Sequence, residues 1–267
     1  MKAFSKIELG LKYLQYWFNA SNGKGHGIHS PFVFDFIKNV LNDKLEYPEY
    51  KKVEQLRSSL LSNQHLLTIE DLGAGSRIHS STQRSVSSIA RHAAKPARYS
   101  KLLFRIAKYY KTKKVLEAGT SLGISTSYLA LANPGSQIIT LEGASEVSHM
   151  ASDNFKKSGI DNIKLLEGHF DNTLPIGLEE LGEADLIFID GNHRQQPTEN
   201  YFNQSLKYVH NDTIMVFDDI HWSKEMEDAW KYICMHPAVK TTIDLFFVGI
   251  VFFRKESREK QHFSIRF

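Results

Sequence analysis

The sequence predicts a doubly wound α/β fold: a seven-stranded, mostly parallel sheet with an antiparallel final hairpin, preceded by a helical N-terminal extension. Three observations carry that expectation. From Pro96 onward, short apolar runs alternate with amphipathic segments. The last two apolar runs follow each other with no helix between them, as antiparallel neighbours do. Before about residue 94 no such alternation exists. The expected organisation is therefore an extension over 1–94 and an α/β domain over 95–267.

In the extension, Leu9, Leu11, Leu14, Trp17 and Phe18 suit one face of a first helix. The glycine-rich "SNGKGHGIHSP" ends it. A second helix starts at Pro31 with Ser30 as its cap. A third covers Tyr50 to Leu61, and a fourth Ser80 to His92. The α/β domain begins with the amphipathic "ARYSKLLFRIAKYY", where Leu102, Leu103, Ile106 and Ala107 share a side. Strands follow at "KVLEAG", "SQIITLEG", "IKLLEG", "ADLIFID" and "TIMVFDD", then "KTTIDLF" and "VGIVFFRK". Helices are expected at "STSYLALAN", "EVSHMASDNFKKSG", "TENYFNQSLKYVH" and "SKEMEDAWKYICMH".

Composition narrows the function. The net charge of +3 comes from 33 basic and 30 acidic residues, too small a bias to argue for nucleic acid. Cys234 is the single cysteine, which rules out an internal disulfide and favours a reducing, cytoplasmic setting. The start of the chain lacks the uninterrupted apolar core of a signal peptide. The longest apolar run, Leu245 to Phe253, is about half of what a membrane helix needs, so no membrane span is expected.

Two glycine turns compete for a ligand. "TIEDLGAGSRIHSS" (Thr68 to Ser81) and "KKVLEAGTSLGIST" (Lys113 to Thr126) each follow a strand-like run. A working turn needs a helix after it and then a second strand ending in an acid, which accepts hydrogen bonds from ribose hydroxyls. The later turn meets both conditions, with Glu142 as the acid. The earlier one leads into another helix, so Asp71 to Ser81 is expected to be a bend near the acceptor. The spacing Gly119-x-x-x-Gly123 differs from Gly-x-Gly-x-x-Gly, which argues against a nicotinamide dinucleotide. Ser121 and Ser125 offer hydroxyls to a carboxylate and Glu117 a charge to an ammonium, so an amino-acid tail fits better than a pyrophosphate. Simpler readings stand beside these. Ser121 and Ser125 would also serve as helix caps, and Glu142 as a solvated strand-end acid.

"LEAGTSLGISTSYLA", "ITLEG" and "DLIFIDGNH…MVFDDIHW" together resemble the class I S-adenosylmethionine-dependent methyltransferases, whose sheet is Rossmann-like, and among them the catechol-type small-molecule O-methyltransferases. The likeness covers about Pro96 to Lys255. It implies that Glu117 and Gly119 line the methionine end, that Ser125 binds its carboxylate with Ser121 and Gly123 beside it, and that Glu142 binds the ribose. "EGHFD" resembles the segment flanking adenine, which adds Gly168, His169 and Phe170. Asp190, ending the fourth strand, belongs to both the cofactor set and the catalytic set.

Asp190, Asp218 and Asp219 end neighbouring strands at the edge where such sheets bind ligands. Converging carboxylates repel unless a cation or proton intervenes, and hard oxygen ligands suit magnesium or another divalent cation. The resemblance implies a metal at Asp190 and Asp218, with Asp219 where asparagine is usual and His193 at the position of the family's general-base lysine. A histidine near neutrality can take that role. Bland roles remain open: Asp219 as a helix cap, Asp190 as a loop brace, His221 as a packing residue. The family's adenine-targeting members carry an Asn/Asp-Pro-Pro-aromatic run where this chain has "IDGNH", which argues against base methylation.

In the extension, Arg77, Arg84 and Arg91 recur every seven residues, either as a solvated face or as a site for an acidic acceptor. His26 and His29 read as loop residues rather than a metal site. A lid on the acceptor side is the expected role of residues 1–94, and a homodimer is left open. The expected function is S-adenosylmethionine-dependent methyl transfer to a small-molecule hydroxyl. The alternative is a non-catalytic S-adenosylmethionine-binding module that contacts a protein through its extension.

Overall fold

The computed structural model describes residues 3–69, 83–92, 95–257 and 259–267. The chain divides into two compact units, one of Met1–Asp43 with Glu183–Phe267 and one of Lys44–Gly182.

The first unit starts with α1 (Lys6–Asn19). Its first turn is closed by a reciprocal capping box: the Ser5 hydroxyl accepts from Glu8 N, and the Glu8 carboxylate accepts from Ser5 N at 2.7 Å. Next, α2 (Pro31–Phe36) has Pro31 in its first turn and Ser30 as its cap, as the sequence predicts, and runs into a π-helical turn at Ile37–Leu41.

The second unit opens with α3 (Pro48–Ser62), where a helix over Tyr50 to Leu61 was expected. Two short strands follow, β1 (Leu66–Thr68) and β2 (Gln83–Ser85), paired antiparallel with Leu67 opposite Arg84. The fourth helix, expected from Ser80, is α4 (Val86–His92), because residues 83–85 are taken by β2. The earlier glycine turn at Asp71 to Ser81, with Arg77, lies outside the described residues. After α5 (Ala97–Tyr109), whose Leu102, Leu103, Ile106 and Ala107 are buried as expected, come β3 (Lys114–Ala118), α6 (Ile124–Ala132), β4 (Gln137–Glu142), α7 (Ser145–Lys157), β5 (Ile163–Glu167) and α8 (Phe170–Leu181). Strands β3, β4 and β5 are parallel in that order, with Glu117 opposite Thr140 and Glu142 opposite Glu167. Helix α8 is an addition to the expected set. Pro175 and Gly177 read as breakers in sequence, yet a Cβ on Gly177 would come within 3.1 Å of Leu116, so the glycine lets α8 pack closely on the strands.

The chain then returns to the first unit with β6 (Ala184–Ile189), α9 (Gln195–Ser205), β7 (Val209–Asp218), α10 (Lys224–Met235), β8 (Thr241–Asp244), β9 (Val248–Phe252) and β10 (Gln261–Ser264). The order is β10-β8-β9-β7-β6. The pairs β6–β7 and β8–β10 are parallel, while β9 runs antiparallel to both β7 and β8. The final hairpin is therefore present, with β9 seated between β7 and β8. Among the described residues, five such strands lie in this unit and three in the other, one more than the seven expected. The added one, β10, is four residues long and alternates between half-buried and exposed, which gives it no continuous apolar signal. The fold is mixed α/β, mostly parallel, with an antiparallel end. Among the described residues, no helix is long and apolar enough to cross a membrane.

Candidate functional site

In the second unit, β3 delivers Glu117 and Ala118 to a turn whose backbone only partly suits ordinary side chains. Gly119 has φ 114°, Ser121 φ 48° and Gly123 φ 82°. The turn is tied to the next strand, since Gly119 N and Thr120 N both donate to Leu141 O at 3.0 Å. On its other side, Leu122 O accepts from Asn154 on α7 at 3.0 Å. Gly123 is required twice over. Its φ is positive, and a Cβ there would lie 2.4 Å from the ring of Phe155.

Ser121 N donates to the Glu142 carboxylate at 2.8 Å, and Ala144 N donates to its other oxygen at 3.0 Å. Burial pushes the Glu142 carboxyl above its ordinary value. The backbone donors of Ala144, Ser121 and Gly143 pull it back, while the nearby charge of Glu167 adds to the rise. Gly168 N donates to Glu142 O at 2.9 Å, so the ends of β3, β4 and β5 are laced into one edge. His169 caps α8, its Nδ1 accepting from Asp171 N at 3.2 Å, and Phe170 is the first residue of that helix. Glu117 is fully buried. Its carboxylate accepts from the hydroxyls of Thr126 on α6 and Thr140 on β4, the latter at 2.8 Å, and Thr140 is also hydrogen-bonded to Thr120. The capping alternative for the serines is not what the structure shows: Gly123 holds the cap position of α6 with no side-chain hydrogen bond, and Ser125 is buried in the first turn.

In the first unit, the loop after β6 and the end of β7 supply an acidic group. Asp190, His193 and Asp218 each offer a ligand atom, and these atoms lie within 4.8 Å of one another. His193 Nε2 is 3.6 Å from Asp190 Oδ1, and Asp218 is 3% exposed. The backbone bends sharply to make the group: Asn192 has φ 63° and His193 φ 21°. Asn192 is braced by its amide, which donates to Tyr201 OH at 3.0 Å. Asp219, expected as a third carboxylate ligand, lies outside this group. Its φ of 54° turns the chain away, and its N–H donates to Phe247 O at 2.7 Å. Nor does it cap α10, a role taken by Ser223. The donor set is thus two carboxylates and an imidazole, a mixture that suits a divalent cation.

Some of the machinery around these groups had no sequence signal. The threonine cradle of Glu117 joins three elements, and although Thr126 and Thr140 lie within the quoted stretches, nothing in the sequence marks them as its partners. Likewise, His221 is clamped by Asp244 at 2.9 Å and Glu227 at 3.2 Å, and stacks on Phe246. Burial lowers its pKa, but the hydrogen bonds and charges of the two carboxylates outweigh that and hold it above the ordinary value. The histidine beside Trp222 is therefore an anchor of the loop that follows Asp218.

Parallel strands whose glycine turn is fastened to the acid of the next strand, within a mostly parallel α/β fold, resemble the cofactor edge of class I S-adenosylmethionine-dependent methyltransferases. Residues 116–220 match the family described as "Methyltransferase domain". Over 123 residues the chain is 32% identical to a catechol O-methyltransferase of Niastella koreensis, covering 45% of this chain and 55% of that one. Over 126 residues it is 29% identical to a catechol O-methyltransferase of Mycobacterium tuberculosis, covering 46% and 56%. The chain thus spans little more than half the length of these curated relatives. An SAH-bound methyltransferase of Podospora anserina shares the fold with a TM-score of 0.58 at 15% identity, over 95% of this chain and 98% of that one.

Proposed function

We propose that this protein transfers the methyl group of S-adenosylmethionine to a hydroxyl of a small molecule. The observation that carries this reading is the hydrogen bond from Ser121 N to Glu142, which fixes the glycine turn and the strand-end acid as one unit. In this reading the carboxylate of Glu142 takes the ribose hydroxyls with the lone pairs its backbone donors leave over. Gly119, Ser121 and the buried hydroxyl of Ser125 receive the amino-acid end, near Glu117. Gly168, His169 and Phe170 border the adenine. S-adenosylmethionine would supply the sulfonium methyl, which passes in line to the acceptor oxygen as the S–C bond breaks and S-adenosylhomocysteine departs.

Asp190 and Asp218 would hold a divalent cation, which would lower the acceptor's pKa. His193 Nε2, beside Asp190, takes the hydroxyl proton. Asp190 orients that imidazole and favours its charged form after transfer. The support is the pair of carboxylates gathered with an imidazole beside them, with Asp219 left aside. Catechol-type acceptors, which present two adjacent hydroxyls, are the class suggested by the two relatives.

The test is incubation with methyl-labelled S-adenosylmethionine and a panel of vicinal dihydroxyaromatics, with and without chelator, read by mass spectrometry. A methylated product that disappears in chelator and returns with magnesium or manganese supports the whole reading. Product that persists in chelator removes the metal. SAH binding with no product across the panel supports the non-catalytic module instead.

A further inference from the structure

We propose that His221 is a positioning residue: it fixes the loop that leaves Asp218, and through that loop it sets how tightly Asp190 and Asp218 hold a cation. This rests on the metal reading given above. Two carboxylates gathered together repel, so the chain on both sides of Asp218 must resist that push. Strand β7 secures the residues before it. After it, residues 219–222 fold straight into a turn, closed by Trp222 N donating to Asp219 O at 2.9 Å. Asp219 takes a positive φ of 54° there, a conformation that its surroundings must hold in place. The tip between β8 and β9 does so, and it is strained itself, with Phe246 at φ 70°. The two strained segments are tied together. Asp219 N donates to Phe247 O at 2.7 Å, and the ring of Phe246 stacks on that of His221 at 5.0 Å. Such strain persists only where several contacts over-determine the backbone.

His221 is the member that joins these segments. Asp244 gives one oxygen to each: Oδ1 accepts from Phe246 N at 2.7 Å, and Oδ2 meets His221 Nε2 at 2.9 Å. The other ring nitrogen, Nδ1, lies 3.2 Å from Glu227 Oε1 on α10. Both ring nitrogens face carboxylates, which only accept, so both donate and the ring is held from two sides. Glu227 is gripped in turn by Lys12 of α1, at 2.9 and 3.1 Å. Helix α1 and the residues before it close the brace from outside. Phe4 N donates to Trp222 O at 3.1 Å beside a bridge between Ala3 and Ser223, and Tyr13 meets Phe246 edge-on at 5.1 Å. The segment after Asp218 is thus held at residues 219, 221, 222 and 223 by partners from the hairpin tip, α10 and the start of the chain. A simple connection between β7 and α10 needs no such brace, whereas a carboxylate that must stand beside another one does.

The test is titration of the full chain with Mn2+, read by the electron paramagnetic resonance of the free ion. The wild type should bind Mn2+ and Asp218→Asn should not, which checks the metal reading by itself. His221→Phe keeps a ring against Phe246 but loses both donors. It should bind Mn2+ roughly tenfold more weakly, the lower end for an outer partner of a metal ligand, with SAH affinity unchanged by calorimetry. His221→Gln, whose amide still donates to a carboxylate, should recover most of that loss. Lys12→Met leaves the imidazole in place and should weaken Mn2+ by a smaller factor with unchanged circular dichroism; it decides the matter if His221→Phe does not fold. Wild-type Mn2+ affinity in Lys12→Met or in a folded His221→Phe would overturn the inference and leave the metal reading standing. So would a His221→Gln chain as weak as His221→Phe, since the donors would then not be what positions the loop. A wild-type chain that binds no Mn2+ would remove the metal reading first and this inference with it.

Discussion

The two clusters of acidic residues in this chain are built on opposite principles. Around the turn after β3, the carboxylates at the ends of β3 and β4 are held by protein donors: Glu117 by two threonine hydroxyls, Glu142 by the backbone of Ser121 and Ala144. After β6 and at the end of β7, two aspartates are gathered with an imidazole, the chain bending at Asn192 and His193. The first arrangement is organised before any ligand arrives, as a binding site should be. The second places like charges together, which suits a site meant to hold a cation and move a proton. Substitutions in the first should therefore change affinity, and substitutions in the second should change turnover.

The largest separation is expected at His193. His193→Ala should lower turnover roughly 10²- to 10⁴-fold, the range of a lost general base, while leaving SAH affinity unchanged by calorimetry. Equal loss of both would merge the two clusters into one functional unit. Next, Gly123→Ala combines a positive φ with a clash on Phe155, and should cost about 3 kcal/mol in chemical denaturation. Adding Phe155→Leu should recover the steric part and leave the backbone part. A smaller effect is expected for Glu142→Gln, which should weaken SAH roughly tenfold to a hundredfold with little loss of stability, as for a charged hydrogen bond.

The smallest effect concerns the anchor next to the second cluster. His221 has its pKa raised by Asp244 and Glu227 in the fold, so its protonated form is favoured there relative to the unfolded chain. Its contribution to stability is complete below the unfolded value near 6.5 and is lost as pH rises through the higher folded value. The melting temperature should decline modestly over that window, and His221→Gln should flatten the decline. A wild-type curve as flat as the variant's would remove the clamp from the account.

The same contrast explains what the sequence disclosed. The glycine turn, its helix and Glu142 form one contiguous βαβ segment, so local chemistry alone marks them. Asp190 and His193 lie in the loop after β6, while Asp218 ends β7, with α9 between them in the chain. Topology brought the aspartates together in advance, but which atoms converge depends on backbone bends that leave no composition signal. Asp219, next in sequence to a member of the group, is carried off by its own positive φ. The role of Gly123 was legible as backbone freedom but not as room for Phe155, a partner 32 residues away. Helix α8 was hidden by Pro175 and Gly177, and β10 by its brevity and half-exposed pattern. Lys12, Glu227, His221 and Asp244 make a network across the chain's two ends, beyond the reach of any periodicity.

Under the proposed function, the turn from Gly119 to Gly123, with Glu142, is the cofactor site, and the earlier glycine pair, Gly73 and Gly75, is not. Isothermal titration with S-adenosylhomocysteine tests it directly. The wild-type chain should bind one equivalent, Glu142→Gln should bind much more weakly, and the double change Gly73→Ala with Gly75→Ala should match the wild type. Binding abolished by the earlier-turn substitutions and untouched by Glu142→Gln would contradict it.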